Sequence, residues 1–206
     1  SSAQYGISGG LSYLKGFGAD KPFVGFNLGA EFPRDSETSL YLKASFYAKN
    51  RLESLSANTI NLVPLDPQDF SVINPVNANT FVNYTTIEGG VRYYLLDGYD
   101  NGFAVYGGSN VMGIINQAKR KVDGFDETKY RLPDNEQTKG AILNLALGFS
   151  GGAKYSLPAV GTFFLESSLN YIIIPMASND FVGNLANSFY SPLLFTFTIG
   201  FRKDFY

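Results

Sequence analysis

From Pro192 to Tyr206 the side chains alternate with period two. Leu193, Phe195, Phe197, Ile199, Phe201, Lys203 and Phe205 fall on one face. Leu194, Thr196, Thr198, Gly200, Arg202 and Asp204 fall on the other. Neighbouring side chains of a strand point to opposite faces, so this is a strand with two unlike surroundings. An exposed edge this apolar invites aggregation. The strand has to be paired on both sides and its bulky face covered, and the rest of the chain has to supply that pairing.

Seven more segments carry the same alternation. Tyr5 to Leu14 sets Tyr5, Ile7, Leu11 and Tyr13 against Gly6, Ser8, Gly10 and Ser12. A second sets Val24, Phe26, Leu28, Ala30 and Phe32 against Phe23, Gly25, Asn27, Gly29 and Glu31. A third, Ser39 to about Leu52, sets Leu40, Leu42, Ala44, Phe46 and Ala48 against Tyr41, Lys43, Ser45, Tyr47 and Lys49. A fourth, Phe81 to Leu95, places Ile87, Val91, Tyr93 and Leu95 opposite Thr86, Glu88, Gly90, Arg92 and Tyr94. The fifth, Phe103 to about Gln117, is blurred; it is read with Val105, Val111 and Ile115 outward and Tyr106 and Asn110 inward. The sixth sets Ala141, Leu143, Leu145, Leu147, Phe149 and Tyr155 against Asn144, Ala146, Gly148, Ser150, Gly152 and Lys154. The seventh, Thr162 to Ile174, sets Phe163, Leu165, Leu169, Tyr171 and Ile173 against Glu166, Ser168 and Asn170.

The expected fold is therefore all-β, an eight-stranded antiparallel up-and-down barrel formed as a single domain by residues 1–206. Which face points outward follows from the polar rows. They are mostly Gly, Ser, Asn and Thr, a poor solvated exterior for a soluble ligand-carrying barrel of the lipocalin type. An eight-stranded interior is only wide enough for side chains to fill it, which small residues suit. The bulky rows then face lipid, with Tyr and Phe near the strand ends as an aromatic girdle would have them. Charged residues make up only 17% of the chain, below the roughly 25% of soluble domains. No window reaches the roughly 18 consecutive apolar residues of a membrane-spanning helix, but barrel strands carry a much weaker signal.

The connections alternate in length. The stretches 33–38, 96–102 and 156–161 are short and are expected, with both termini, on the periplasmic side. The stretches 15–22, 53–80, 118–138 and 175–191 are expected outside the cell. On this reading Glu31, Lys43, Glu88, Arg92, Lys154, Glu166 and Arg202 point into the lumen. Both signs are present, so the expectation is a paired network that plugs the barrel. An ion pathway is the sharper alternative.

The chain has no His and no Cys. That removes the commonest general base, thiolate chemistry and the usual transition-metal ligands. Glycine pairs such as Gly107-Gly108 and Gly151-Gly152 have neither Walker nor dinucleotide spacing and read as bends, bulges or close packing. The Asp97, Asp100, Asn101 turn lacks EF-hand spacing. No catalytic residue, cofactor or metal is expected, and a net charge of -2 gives no reason to expect nucleic acid. Lys119-Arg120-Lys121 is either a solvated strand end or a contact for lipid phosphates or an acidic partner. The candidate partner loop holds Ile60, Leu62, Val63, Leu65, Phe70, Val72 and Ile73. Bare, these would be costly; they either fold onto the barrel rim or bind another protein.

Eight amphipathic strands, alternating loop lengths, glycine-rich inner rows and the aromatic end Phe205-Tyr206 resemble the small outer-membrane barrels of the OmpA transmembrane domain and OmpX type. The Tyr- and Asn-rich, His- and Cys-free composition looks like that of barrels from Bacteroidota. The resemblance implies an outer-membrane location in a Gram-negative cell, with lipid around the barrel. It also implies a signal for the barrel-assembly machinery in the last strand, on Phe197, Ile199, Phe201 and Phe205, with Lys203 interrupting the row. The function expected is non-enzymatic. The chain would be an accessory subunit of a larger outer-membrane complex for assembly, secretion or uptake, with a membrane protein as partner. A narrow solute pore, a stand-alone surface or adhesion barrel, and a soluble ligand carrier are the alternatives.

Overall fold

A computed structural model of the chain describes residues 4–19, 21–51, 59–66, 68, 74–133, 139–177 and 191–206. In chain order the strands are β1 (Tyr5–Gly16), β2 (Phe23–Pro33), β3 (Thr38–Tyr47), β4 (Asn50–Arg51), β5 (Thr59–Pro64), β6 (Asn74–Leu96), β7 (Gly102–Val122), β8 (Tyr130–Arg131), β9 (Lys139–Leu157), β10 (Gly161–Ala177) and β11 (Leu193–Phe205). No helix occurs among the described residues. Eight strands close a ring in the order β1, β2, β3, β6, β7, β9, β10, β11 and back to β1, every pair antiparallel. The closing pair is β1 with the last strand, Tyr5 opposite Phe205 through Gly16 opposite Leu194. The neighbours that the last strand required are therefore β1 and β10.

The register sets the size of the barrel. A path of directly opposed residues runs from Ala104 through Lys154, Phe164, Gly200, Gly10, Asn27, Ser45 and Thr86. It returns to β7 at Ile114, ten residues beyond its start. Eight strands with a stagger of ten residues, at ordinary strand rise and spacing, tilt by about 41° and enclose a barrel of about 8 Å radius. Side chains fill so narrow a cylinder. Where the wall is tightest the inner row has no room for a Cβ: on Gly108 it would stand 1.8 Å from the Val91 carbonyl oxygen, and on Gly10 2.2 Å from that of Ile199.

The bulky rows are outside. Leu11 is 68% exposed and Phe149 76%, with Phe26, Leu42, Ile87, Leu147, Leu165 and Ile199 also exposed. The charged and small polar rows are inside, where Glu31, Lys43, Glu88, Arg92, Lys154, Glu166 and Arg202 are all buried. This is the inverse of a soluble barrel. Aromatic residues gather at the end that carries the chain termini: Tyr5 stacks on Phe205 at 5.1 Å, and Phe163 meets Phe201 edge-on at 5.1 Å. The exterior is one that acyl chains, rather than water, would solvate favourably.

Two of the long loops hold more structure than alternation indicated. β6 begins at Asn74 rather than Phe81, and β7 runs to Val122 rather than ending near Gln117. Above the rim these two strands continue as a paired tongue to Ala78 opposite Val122. Short strands extend it: β4 on β6, β5 on β6, and β8 on β5. The third segment is also broken, β3 ending at Tyr47 before β4 resumes the pairing.

Candidate functional site

Two regions of the molecule concentrate chemistry, the lumen and the loop end. The lumen is layered along the barrel axis. Toward the termini lies a layer of paired charges. Glu31 on β2 takes hydrogen bonds from Arg92 Nη1 on β6 at 2.8 Å, Arg202 Nη1 on β11 at 3.0 Å, Ser39 Oγ at 2.5 Å and the Tyr94 hydroxyl. Arg92 reaches on to Glu166 on β10 at 2.6 Å, and Lys43 on β3 lies 2.9 Å from Glu166 and 3.5 Å from Glu88. Glu88 also accepts from the Tyr41 hydroxyl and, at 2.7 Å, from Asn110 Nδ2. Buried charge is tolerated only when paired and hydrogen-bonded, and each of these carboxylates meets both conditions.

Of the seven charges expected in the lumen, six meet in this one cluster. Lys154 does not join them: its Nζ donates to the Asn101 carbonyl at 2.7 Å and the Ser156 hydroxyl at 3.0 Å. The cluster includes groups that sequence reasoning passed over. Asp204 pairs with Arg202 at 2.8 Å. The guanidinium of Arg92 lies 4.0 Å from the Tyr41 ring centre, and that of Arg202 lies 3.7 Å from the Tyr99 ring centre. Such cation–π contacts reinforce the ion pairs where water is excluded. Tyr99 arrives from the turn between β6 and β7. Its N–H donates to the Ser36 carbonyl at 2.9 Å and its hydroxyl to Asp204 at 2.9 Å, so this fully buried ring lies against the charge layer at the terminal end of the barrel. Asp204 sits on the inner row of the last strand two residues from Arg202, and that spacing was the signal available.

A belt of small polar groups follows. Asn27 Nδ2 donates to Ser12 Oγ at 2.7 Å, Ser12 meets Thr198 at 3.3 Å, and Asn170 Nδ2 donates to Ser168 at 2.9 Å. Beyond it, toward the loops, the inner rows turn apolar. Leu14, Phe23, Tyr47, Val82, Tyr84, Met112, Ile114, Ala118, Ile142, Ala146, Ile172 and Leu194 pack as one buried cluster, with Phe23 edge-on to Tyr84 at 4.7 Å. This layer explains the blurred fifth segment: Met112 and Ile114 are apolar residues on the inner row of β7.

At the loop end the candidate partner residues divide. Ile60 and Leu62 are not available to a partner. They are buried with Val76 and Ala78 in a satellite core, with Val122, Phe125, Tyr130 and Leu132 packed against it. The reason is the tongue: extending β6 and β7 carries their inner apolar row above the rim, and β5 covers it. Val63 is half-buried opposite Arg131, while Leu65 is 48% exposed. Phe70, Val72 and Ile73 lie outside the described residues. In the last strand Phe197, Ile199, Phe201 and Phe205 all lie on the outward face of β11, and Lys203 folds onto the Ala159 and Val160 carbonyls at 2.9 and 3.0 Å.

Outside the spanning segments two carboxylates are held below their ordinary titration range. Asp35 in the β2–β3 hairpin accepts from the backbone N–H of Glu37 at 2.8 Å and of Thr38 at 2.7 Å. Asp126 is lowered by the hydroxyl and then the N–H of Thr128. No group of three or more potential metal ligands occurs among the described residues.

Among solved structures, Neisserial surface protein A is similar to this chain with a TM-score of 0.55 at 11% identity, covering all of both chains. The fold is that of the small eight-stranded outer-membrane barrels, the architecture of the OmpA and OmpX types. The outer membrane protein OprG from Pseudomonas aeruginosa matches with a TM-score of 0.50 at 14% identity, over 100% of this chain and 97% of that one. Ail, the attachment invasion locus protein of Yersinia pestis, in its complex with the heparin analogue sucrose octasulfate, matches with a TM-score of 0.50 at 13% identity. That match covers 98% of this chain and 100% of Ail. No protein-family model matches the chain, and no curated protein matches it.

Proposed function

We propose that this chain is a non-enzymatic barrel of a Gram-negative outer membrane, with a shut lumen, that works through the surface at its loop end. The role proposed is that of an accessory subunit of a larger outer-membrane assembly. The observation that carries the reading is the filling of the lumen in series, by the charge layer and then by the apolar layer. An eight-stranded barrel so filled offers no route for solute, which leaves the loop-end surface as the place to act. The orientation, loops outside and termini periplasmic, rests on the contrast between the short turns and the long loops. The absence of His and Cys from the sequence supports a non-enzymatic role.

Within this reading the partner surface centres on Leu65 and the part of the 60–73 loop that follows it. Ile60 and Leu62, buried in the satellite core, are not part of it. The outward row of β11 serves as the assembly signal during biogenesis. Co-purification from native membranes in mild detergent tests the subunit role. The intact chain should bring down a membrane protein that the chain lacking residues 65–73 does not. If every partner stays bound after the deletion, the loop role falls. In planar bilayers the purified barrel should give no discrete conductance steps; steady unitary currents would refute the shut lumen.

A further inference from the structure

Phe149 on β9 is the most exposed large apolar side chain among the described residues, at 76%. Beside it the outward wall sinks into a hollow lined by Gly89, Val91, Ser109, Val111 and Leu147. Phe149 stands directly opposite Ser109, and Gly89 directly opposite Val111. A bulky projection and a hollow therefore share one patch of β6, β7 and β9. Ser109 lies midway along the outward row of β7, between Phe103 and Ile115, where the wall faces acyl chains. Its hydroxyl has no hydrogen-bond partner among the described residues, and a hydroxyl left alone in hydrocarbon is costly.

The barrel does not itself require the hollow. A Cβ on Gly89 would meet nothing nearer than 3.7 Å, whereas on the inward-facing Gly90 it would stand 2.3 Å from the Ser109 carbonyl oxygen. Gly107, on the same outward row as Ser109, also has 3.7 Å of room. Glycine inside a strand gives up packing and weakens it; where the wall does not demand one, it lets another backbone come close.

Height along the barrel axis decides which chain fits. Two copies in one membrane stand the same way up, so a two-fold axis between them runs along the membrane normal. Residues that meet across it must lie at equal heights on its two sides. At the barrel's tilt each residue along a strand climbs about 2.5 Å, and each step to the next strand in the direction β7 to β9 climbs about 3.1 Å. Phe149, one such step from Ser109, stands about 3 Å above it. Gly89, two residues up the wall and one step back onto β6, stands about 2 Å above it. The projection and the hollow thus flank Ser109 at heights that agree to about 1 Å.

We infer that the barrel pairs with a second copy of itself through this wall. Phe149 of each copy seats on Gly89 of the other. The two Ser109 hydroxyls meet beside the axis and hydrogen-bond to one another, as hydroxyls do between membrane-spanning segments. Self-complementarity selects the second copy, because an unrelated partner needs no projection and hollow matched in height on one wall. The inference rests on the membrane reading above and adds a partner that reading does not name.

The chain has no cysteine, so one introduced thiol is unique. Gly124→Cys, where a side chain meets nothing within 4 Å, carries a fluorophore. Photobleaching steps of single barrels in phosphatidylcholine vesicles then count copies across a lipid dilution series. Two-step bleaching should rise with protein density. Phe149→Ala should weaken pairing at least about tenfold, and Ser109→Ala about threefold. Leu28→Ala, on β2 across the barrel and 57% exposed, should leave it unchanged. Without the fluorophore, Ser109→Cys should join to itself through a short thiol crosslinker, and Leu28→Cys should not. Heat-dependent gel mobility establishes that each variant is folded; should Phe149→Ala fail, Ser109→Ala and the crosslink still decide. One-step bleaching at every density overturns the inference. So does pairing that the folded variants leave undiminished, or a crosslink at Leu28 in place of Ser109. Capture of a different membrane protein by a barrel that stays single, lost in Phe149→Ala, would assign the wall to that protein and overturn the second copy. A barrel that does not enter vesicles at all overturns the membrane reading and this inference with it, whereas one that enters and stays single overturns the inference alone.

Discussion

Replacing Glu31 by Gln tests whether the charge layer holds the barrel together. Glu31 is the acceptor on which Arg92, Arg202, Ser39 and Tyr94 converge. Gln keeps the volume, removes the charge and turns an amide donor toward groups that are already donors. Removing one partner from a buried ion pair costs about 3–5 kcal/mol when the other is left uncompensated. Here neither guanidinium is orphaned, since Arg92 keeps Glu166 at 2.6 Å and Arg202 keeps Asp204 at 2.8 Å. The lower end, about 3 kcal/mol, is therefore expected. With a slope of about 2 kcal/mol per molar urea, the unfolding midpoint should fall by about 1.5 M. Far-UV circular dichroism of the barrel in lipid vesicles reads it out. Glu31→Gln combined with Arg202→Met should lose less than the sum of the single changes, by about 0.5–3 kcal/mol. A midpoint shift for Glu31→Gln below about 0.3 M, on the same slope, would mean that the layer is wet and screened. A lumen shut by dry, paired charges would then be refuted.

Gly108→Ala should cost about 1–3 kcal/mol by overpacking, because the new methyl meets the Val91 backbone 1.8 Å away and backbone cannot swing aside; the same urea titration measures it, and an unchanged midpoint would contradict the wall geometry. Ile60→Ala with Leu62→Ala should loosen the satellite core by about 2–5 kcal/mol per residue. Limited proteolysis should then cut the loop end faster while the barrel's own melting is unaltered; a lowered barrel midpoint would show that the tongue is not an independent layer. Asp35 bears on pH. Its carboxyl is held low by the Glu37 and Thr38 N–H groups, so its contribution is complete above about pH 3.9, the unfolded value. That contribution is lost as pH falls through the lower folded value. Asp35→Asn should therefore melt earlier than wild type at neutral pH, with the two curves converging in acid. A gap that widens in acid would invert the sign and refute the hairpin assignment.

The strands and their two faces were legible because period-two alternation is local. Val24, Phe26 and Leu28 declare a bulky row without reference to any other segment, and the narrowness of eight strands decides which row goes inside. The blurred fifth segment was legible in part. Val105 and Val111 outward with Asn110 inward agrees with β7, but Met112 and Ile114 looked out of place until the apolar layer of the lumen gave them neighbours from seven other strands. Tyr41, Tyr94 and Tyr99 were passed over for a similar reason. A tyrosine on an alternating strand, or in a turn as Tyr99 is, reads as girdle or core, and only the positions of Glu88, Glu31 and Arg202 make it part of a charge network.

The places of the barrel strands, the alternation of their connections and the two unlike faces of each were written in the chain itself, because each depends on residues within a few positions of one another. Register was not. Glu31, Arg92, Glu166 and Arg202 come together only because the barrel closes with a ten-residue stagger, which sums small offsets from eight separate strand pairs and leaves no mark in any one of them. The fate of Ile60 and Leu62 was decided in the same way. An apolar residue in a loop is sticky or satisfied according to what stands over it, and here that is Val76 and Ala78, carried above the rim by strands that outrun the barrel.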